Sequence, residues 1–192
     1  MKRIAKGDFG YLKWQTKWEF VKTAVFFAAA IGVLLLGIHI AGTKNNLLTF
    51  VAVFGMLPAS KELISFIMFI RASKYSCPET LYQEVENLQE EQGVLVVYDL
   101  YMTSQERNYP IYCMCCRNKT LIGVAEWEAF DYKDAENHIS VMLRQNGYRN
   151  ISVKIFDNRE KYIARMGELA GLAPEAEETD QAVLHLMLNL SL

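Results

Sequence analysis

The densest reactive grouping in this chain is Cys113-Met-Cys115-Cys116, three thiols within four positions. On an extended strand Cys113 and Cys115 share a face but stand about 6.6–6.8 Å apart, while Cys116 points the other way. That is a poor bite for one tetrahedral zinc, whose structural sites bring paired knuckles such as Cys-x-x-Cys, and no second pair exists. Thiol catalysis needs a base beside the sulfur, and His138 is the candidate. Buried cysteines acting as small apolar side chains are the better expectation. A second grouping, Glu126, Glu128, Asp131 and Asp134, offers oxygens of the kind that hard cations prefer. Its spacing matches no dedicated metal loop, and acids at a strand-to-helix turn also suit the positive end of a helix dipole. The dipole account is preferred, and no cofactor is expected. A third grouping is Lys61-Glu62, a charge pair inside an apolar stretch and hence a functional-site candidate. On a helix the two side chains point about 100° apart, so they do not face each other.

The elements that position these residues begin with two apolar runs, Thr23–Ala41 and Leu47–Ile70, joined by Gly42–Asn46. A membrane span needs about 20 residues, and both runs suffice. Trp14 and Trp18 precede the first run among Lys13, Lys17 and Lys22, the rings and cations that anchor a helix at the headgroups. The length of this basic lead and the closeness of the second span favour a retained anchor over a cleaved secretory signal. Pro58 either starts a new helical segment or kinks a continuous one. Small residues, Ala28 and Gly32 in the first span and Gly55 and Ala59 in the second, permit close helix packing. Three expectations compete for Lys61 and Glu62: a homo-oligomer in which Lys61 meets Glu62 of a neighbour, a kinked helix whose charges reach the inner interface, or a transport pathway.

Residues 1–22 carry six basic groups against Asp8 and Glu19, whereas the connecting loop carries only Lys44. Positive-inside orientation therefore predicts a multi-pass protein of the plasma (inner) membrane with both termini in the cytoplasm. Residues 72–192 hold 11 basic and 19 acidic groups, so this portion is about −8, although the whole chain is only −2. Acidic surface is a poor grip for phosphate backbones, so no nucleic-acid partner is expected.

Past a hinge at 72–77, the pattern predicts a helix over 78–92 with Leu81, Val85 and Leu88 on one face, ended by Gly93. Strands follow at Val94–Met102, Pro110–Arg117 and Thr120–Trp127, the last two flanking a turn at Asn118-Lys119. A helix over Tyr132–Gln145 presents Ala135, Ile139 and Met142–Leu143, and Ile151–Phe156 alternates as a half-buried strand. Asn158 caps a helix over 159–169. The tail alternates Leu184, Leu186, Leu188 and Leu190 like a strand, but the acids after Pro174 favour a helix. The expected fold is thus a two-helix transmembrane hairpin (23–71) behind a basic lead (1–22). A small cytosolic α/β (α+β) domain follows at 78–170, of order α-β-β-β-α-β-α, with a mixed sheet packed by helices. An acidic linker and amphipathic segment close the chain at 171–192.

The α-β-β-β-α-β order resembles the core of the PD-(D/E)XK nuclease-like fold over residues 78–156. That resemblance implies an acid on the second strand and Glu-x-Lys on the next, to hold a divalent metal and position water. Here the third strand ends Glu126-Trp-Glu128 without the lysine, Pro110–Arg117 holds no acid, and Asp99 lies one strand early. Along nearly its full length, through Asn45-Asn-Leu-Leu48, Leu57-Pro-Ala-Ser-Lys61 and Val153-Lys-Ile-Phe156, the chain resembles uncharacterised two-span membrane proteins of Gram-positive anaerobic bacteria, which implies no activity. The functional expectation is a membrane-anchored, non-catalytic binding or regulatory module, with the lipid bilayer, a further copy of itself and a protein as partners. An enzyme with a divergent metal or thiol site, or an accessory subunit of a transport complex, are the alternatives.

Overall fold

The computed structural model describes residues 3–104 and 107–192. The chain divides into two compact units, one of residues 12–74 and one joining the first eleven residues to 75–192.

The first unit is a helical hairpin. Helix α1 (Tyr11–Ala41) and helix α2 (Leu47–Ser73) are each long and apolar enough to cross a membrane. With 31 and 27 residues they run about 46 and 40 Å at the α-helical rise. Helix α1 starts twelve residues before the apolar run because Trp14 to Lys22 continue its hydrogen-bond ladder. Asn46 caps α2, its Oδ1 accepting from Thr49 N at 2.9 Å. Pro58 lies inside α2, which stays one continuous helix, so the proline does not split the second span.

The seam is built from small residues at heptad spacing. Thr23, Ala30 and Gly37 are buried on α1, and Ala52 and Ala59 on α2. A side chain on Gly37 would meet Leu48 Cβ at 2.7 Å, and one on Gly55 would touch Ala30 Cβ at 3.8 Å. Farther down the seam, Phe20 packs on Phe66 at 5.4 Å, and Thr16 Oγ1 donates to Phe69 O at 3.0 Å. Gly37 sets the closest approach. Gly37→Leu is therefore expected to destabilise the hairpin by about 1–3 kcal/mol through overpacking. Thermal aggregation of the full-length protein in detergent reads this, and an unchanged midpoint would mean the helices do not meet at Gly37.

The second unit is a mixed four-stranded sheet between two helical layers. Helix α3 (Glu79–Gln92) precedes the meander β1 (Val96–Thr103), β2 (Asn108–Arg117) and β3 (Thr120–Val124). Helix α4 (Tyr132–Gln145) crosses to β4 (Ser152–Phe156), and α5 (Arg159–Ala170) and α6 (Glu177–Leu190) follow. The sheet order is β1-β2-β3-β4, antiparallel except for the parallel β3–β4 pair. This is the expected mixed sheet, with the tail resolved as helix. Val183, Leu184 and Met187 of that tail enter the core, a three-and-four spacing that a strand could not deliver to one face. Strand β3 stops at Val124, short of the expected Trp127, because the Trp127 indole turns back to donate to Pro110 O at 3.1 Å.

Helices α4 and α6 cover one face of the sheet, with Ala135, Ile139 and Leu143 meeting Val97, Leu100, Ile111 and Met114. Helices α3 and α5 cover the other, where Leu81, Val85, Tyr162 and Met166 meet Tyr98, Cys113, Cys115 and Ile122. Regular alternation would put Val97 and Leu100 on opposite faces, and likewise Ile111 and Met114. Both strands instead switch phase at the same rung. Asp99 adopts φ 55, and the ladder passes from Tyr98–Cys113 directly to Leu100–Ile111. Aspartate tolerates the left-handed region better than most residues. Its buried carboxylate is held in place, accepting from Cys77 N at 2.7 Å and Ser76 Oγ at 2.9 Å.

Both chain ends close the outer edge of β1. Tyr98 N donates to Gly7 O at 2.7 Å, Tyr101 N to Ser191 Oγ at 2.8 Å, and Leu192 N to Tyr101 O at 3.0 Å. Lys6 Nζ reaches Ser191 O at 2.6 Å. Covering a sheet edge this way removes an aggregation template. At the far end of the meander, Asn118 (φ 48) and Lys119 (φ 62) form the two-residue hairpin turn that the sequence predicts. The turn is clamped by Asp180 of α6, 4% exposed, whose oxygens accept from Asn118 N at 2.7 Å and Lys119 N at 2.9 Å.

Candidate functional site

Helix α3 carries five glutamates and no cation over its 14 residues. Its buried stripe, Leu81 and Val85, fixes which way it faces, and Gly93 (φ 66) ends it in a left-handed cap. Glu79, Glu84 and Glu90 are exposed on its outer side, and Glu86 is half-buried. Residues 3–9 run alongside. Gly7 is buried at φ 95, where its carbonyl takes the Tyr98 amide and a larger residue would meet Leu188. This placement brings Phe9 onto Tyr82, the rings stacked with centroids 4.2 Å apart, while Tyr98 stands edge-on to Tyr82 at 5.3 Å.

The three rings form one wall of a cleft of about 600 Å³, whose rim is Arg3, Glu86 and Glu90. The Tyr82 hydroxyl donates to the Glu86 carboxylate, which pushes the phenol up to about 12, with desolvation adding to the shift. Tyr98 is driven above the ordinary phenol range chiefly by burial. Both rings therefore stay neutral and electron-rich at physiological pH. An aromatic wall beside carboxylates suits a guanidinium or ammonium group, which gains from the π face and from the charge together.

The thiols lie elsewhere. Cys77, Cys113, Cys115 and Cys116 are all buried and free. Cys113 and Cys115 face the α3/α5 layer and Cys116 the α4/α6 layer, as strand geometry requires. Burial pushes the Cys115 thiol up to about 12 and drives those of Cys113 and Cys116 upward too. Such groups are poor nucleophiles. The pairing of a thiol with His138 is not formed: His138 is on α4, its ring 5.1 Å from that of Tyr109, across the sheet from Cys113 and Cys115.

The four acids of 126–134 are held apart by separate duties. Glu126 Oε1 accepts from Arg159 N at 3.0 Å, capping α5. Asp131 is the N-cap of α4, accepting from Asp134 N at 3.1 Å, and pairs with Arg107 at 3.1 Å. Asp134 accepts from Tyr109 Oη at 2.7 Å, and Glu128 is exposed. Among the described residues, no group of three histidine, cysteine, aspartate or glutamate side chains is arranged to hold a metal ion.

In the hairpin, Glu62 finds a cation within its own chain: Lys22 Nζ lies 4.0 Å from it and 2.7 Å from Glu19. Lys61 is exposed on α2. Gly55 and Ala59 lie at the helix seam, whereas Ala28 faces outward and a side chain on Gly32 would meet no neighbour within 4 Å. Trp14 and Trp18 stack at 6.4 Å beside exposed Lys13 and Lys17. Sequence reasoning missed the burial of Glu19, Asp99 and Asp180, the first in the basic lead, the second within a strand and the third in the acidic tail. It also missed the cleft, since Phe9 and Tyr82 are 73 positions apart and meet only in the fold.

Fold and cleft together define a hairpin of two apolar helices joined to a mixed-sheet α/β unit that carries a ligand-sized acidic cleft. The chain matches no protein-family model, no curated protein and no solved structure.

Proposed function

We propose that this chain is a membrane-anchored, non-catalytic binding module. Helices α1 and α2 cross the plasma membrane, both termini lie in the cytoplasm, and the acidic cleft receives a basic segment of a protein partner. Orientation is supported by the lysine and arginine excess of the lead over the loop. Recognition of a basic segment is carried by one observation: Glu86 and Glu90 of α3 stand beside the Phe9–Tyr82–Tyr98 wall. Self-association is part of this reading, because Lys61 is a cation on an apolar helix with no acid of its own chain against it among the described residues, and an acidic group of a second copy is its proposed partner. The α-β-β-β-α-β order supports kinship with the PD-(D/E)XK-like fold as a proposal about ancestry alone, since Asp99 is engaged by the 76–77 hinge and Glu126 by the start of α5.

The test uses the full-length protein in lipid nanodiscs, titrated with an arginine- and lysine-rich peptide and with an acidic peptide of equal length. The basic peptide is expected to bind, and the acidic one not. The double change Glu86→Lys, Glu90→Lys should weaken binding at least tenfold, about 1.4 kcal/mol, and raised salt should weaken it further. Equal binding of the two peptides, or binding indifferent to the reversal, would sink the proposal.

A further inference from the structure

The hairpin holds a polar cluster that neither the cleft nor the anchoring role uses. Glu19 is 4% exposed and Thr23 7% exposed, one helical turn apart on the same face of α1. Glu19 Oε1 is satisfied, accepting from Lys22 Nζ at 2.7 Å and Gln15 Nε2 at 2.6 Å. Glu19 Oε2 and Thr23 Oγ1 are buried without a hydrogen-bond partner. The antiparallel register that sets Gly37 against Leu48, Ala30 against Gly55 and Thr16 against Phe69 brings Thr23 level with Glu62 of α2. Two carboxylates therefore share one ammonium, Lys22, and the cluster is short of one positive charge. An uncompensated charge and an orphaned carboxylate oxygen are both expensive where water is scarce.

We propose that Glu19 Oε2, Thr23 Oγ1 and the Glu62 carboxylate form a binding site for one alkali-metal cation of the size of Na⁺. All three donors are hard oxygens, and one monovalent charge brings the Glu19–Lys22–Glu62 set to neutrality. A divalent ion would overshoot that balance. Occupancy ties α1 to α2 at the end of the hairpin that leads into the α/β unit by way of the chain, so the hairpin is more stable with the ion than without it.

The experiment measures thermal unfolding of the full-length protein in detergent at constant ionic strength, exchanging N-methylglucamine for Na⁺ or K⁺. The midpoint is expected to rise with Na⁺, by about 2–4 °C for each tenfold increase above the dissociation constant. Glu19→Gln should abolish the rise, and Thr23→Val, which keeps shape and removes the hydroxyl, should weaken it. The second variant decides the matter if the first fails to fold. Lys44→Gln, in the connecting loop, should leave the rise intact. Identical midpoints in Na⁺, K⁺ and N-methylglucamine would overturn the proposal. So would a midpoint that follows pH alone, since the occupant would then be a proton, or an unaltered Na⁺ response in Thr23→Val.

Discussion

Asp180→Ala is expected to destabilise the α/β unit by about 3–4 kcal/mol, because hydrogen bonds to a charged acceptor are worth about 1.5–3 kcal/mol each and two are lost together. The Asp180 carboxylate binds the Asn118 and Lys119 amides, and it also accepts from Cys116 Sγ at 3.4 Å. It is the only side chain tying α6 to the backbone of that turn by such bonds among the described residues. Removing it leaves two amides in left-handed conformation facing a void. Asp180→Asn keeps one acceptor oxygen but turns an amide donor toward a second N–H, so an intermediate loss of about 2 kcal/mol is expected. Near-ultraviolet circular dichroism of the full-length protein during thermal unfolding reads both changes. A loss below about 1 kcal/mol for Asp180→Ala would show that the turn holds itself, as an isolated two-residue turn does.

Alkaline pH should unfold the α/β unit by forcing its buried thiols to ionise. An unfolded thiol ionises near pH 9, whereas Cys115 in the fold is held up to about 12 by burial, and Cys113 and Cys116 move in the same direction. Buried Tyr112 adds to this, its phenol pushed up to about 12 by desolvation. A folded state with raised pKa values binds more protons than the unfolded chain between the two limits. The stability these groups contribute is thus complete below pH 9 and declines as pH rises toward 12. Each thiol adds up to about 1.4 kcal/mol per pH unit in that window. Three together exceed the stability of an ordinary domain within about two units of pH. Circular dichroism and thiolate absorbance should therefore change in one cooperative step above pH 9. Cys115→Ala should make that step shallower. Thiols that ionise near pH 9 with the ellipticity unchanged would contradict the burial described for β2.

Much of this architecture is readable from local chemistry. Helix α4 begins and ends where Asp131 and the Asn146-Gly147 pair put it, because capping and termination are decided within one turn. The Asn118-Lys119 turn and the Asn158 cap are legible for the same reason. The phase switch in β1 and β2 is not, since it depends on Asp99 finding the Cys77 amide 22 positions back. A strand buried on both faces offers no polar residue to mark which side is which. The tail misleads in the opposite direction: its leucines alternate, yet α6 forms because Val183, Leu184 and Met187 fit one side of a helix. Of the sites, the charges of α2 announce themselves as lysine and glutamate in an apolar run, but the partner of Glu62 is Lys22, forty positions away, where the sequence suggests only a headgroup anchor. The acids of 126–134 look like a cluster on paper and are dispersed by the three elements they cap or brace.

The joining of the first eleven residues to 75–192 in a single unit bears on the order of biosynthesis. Lys6 waits for Ser191, which is made 185 positions later. Closure of so long a loop is slow and nonlocal. Both hydrophobic helices are synthesised long before that, so α1 and α2 can pair before the α/β unit closes. The nascent N-terminal strap is thus held open until residues near Ser191 are made to fasten it.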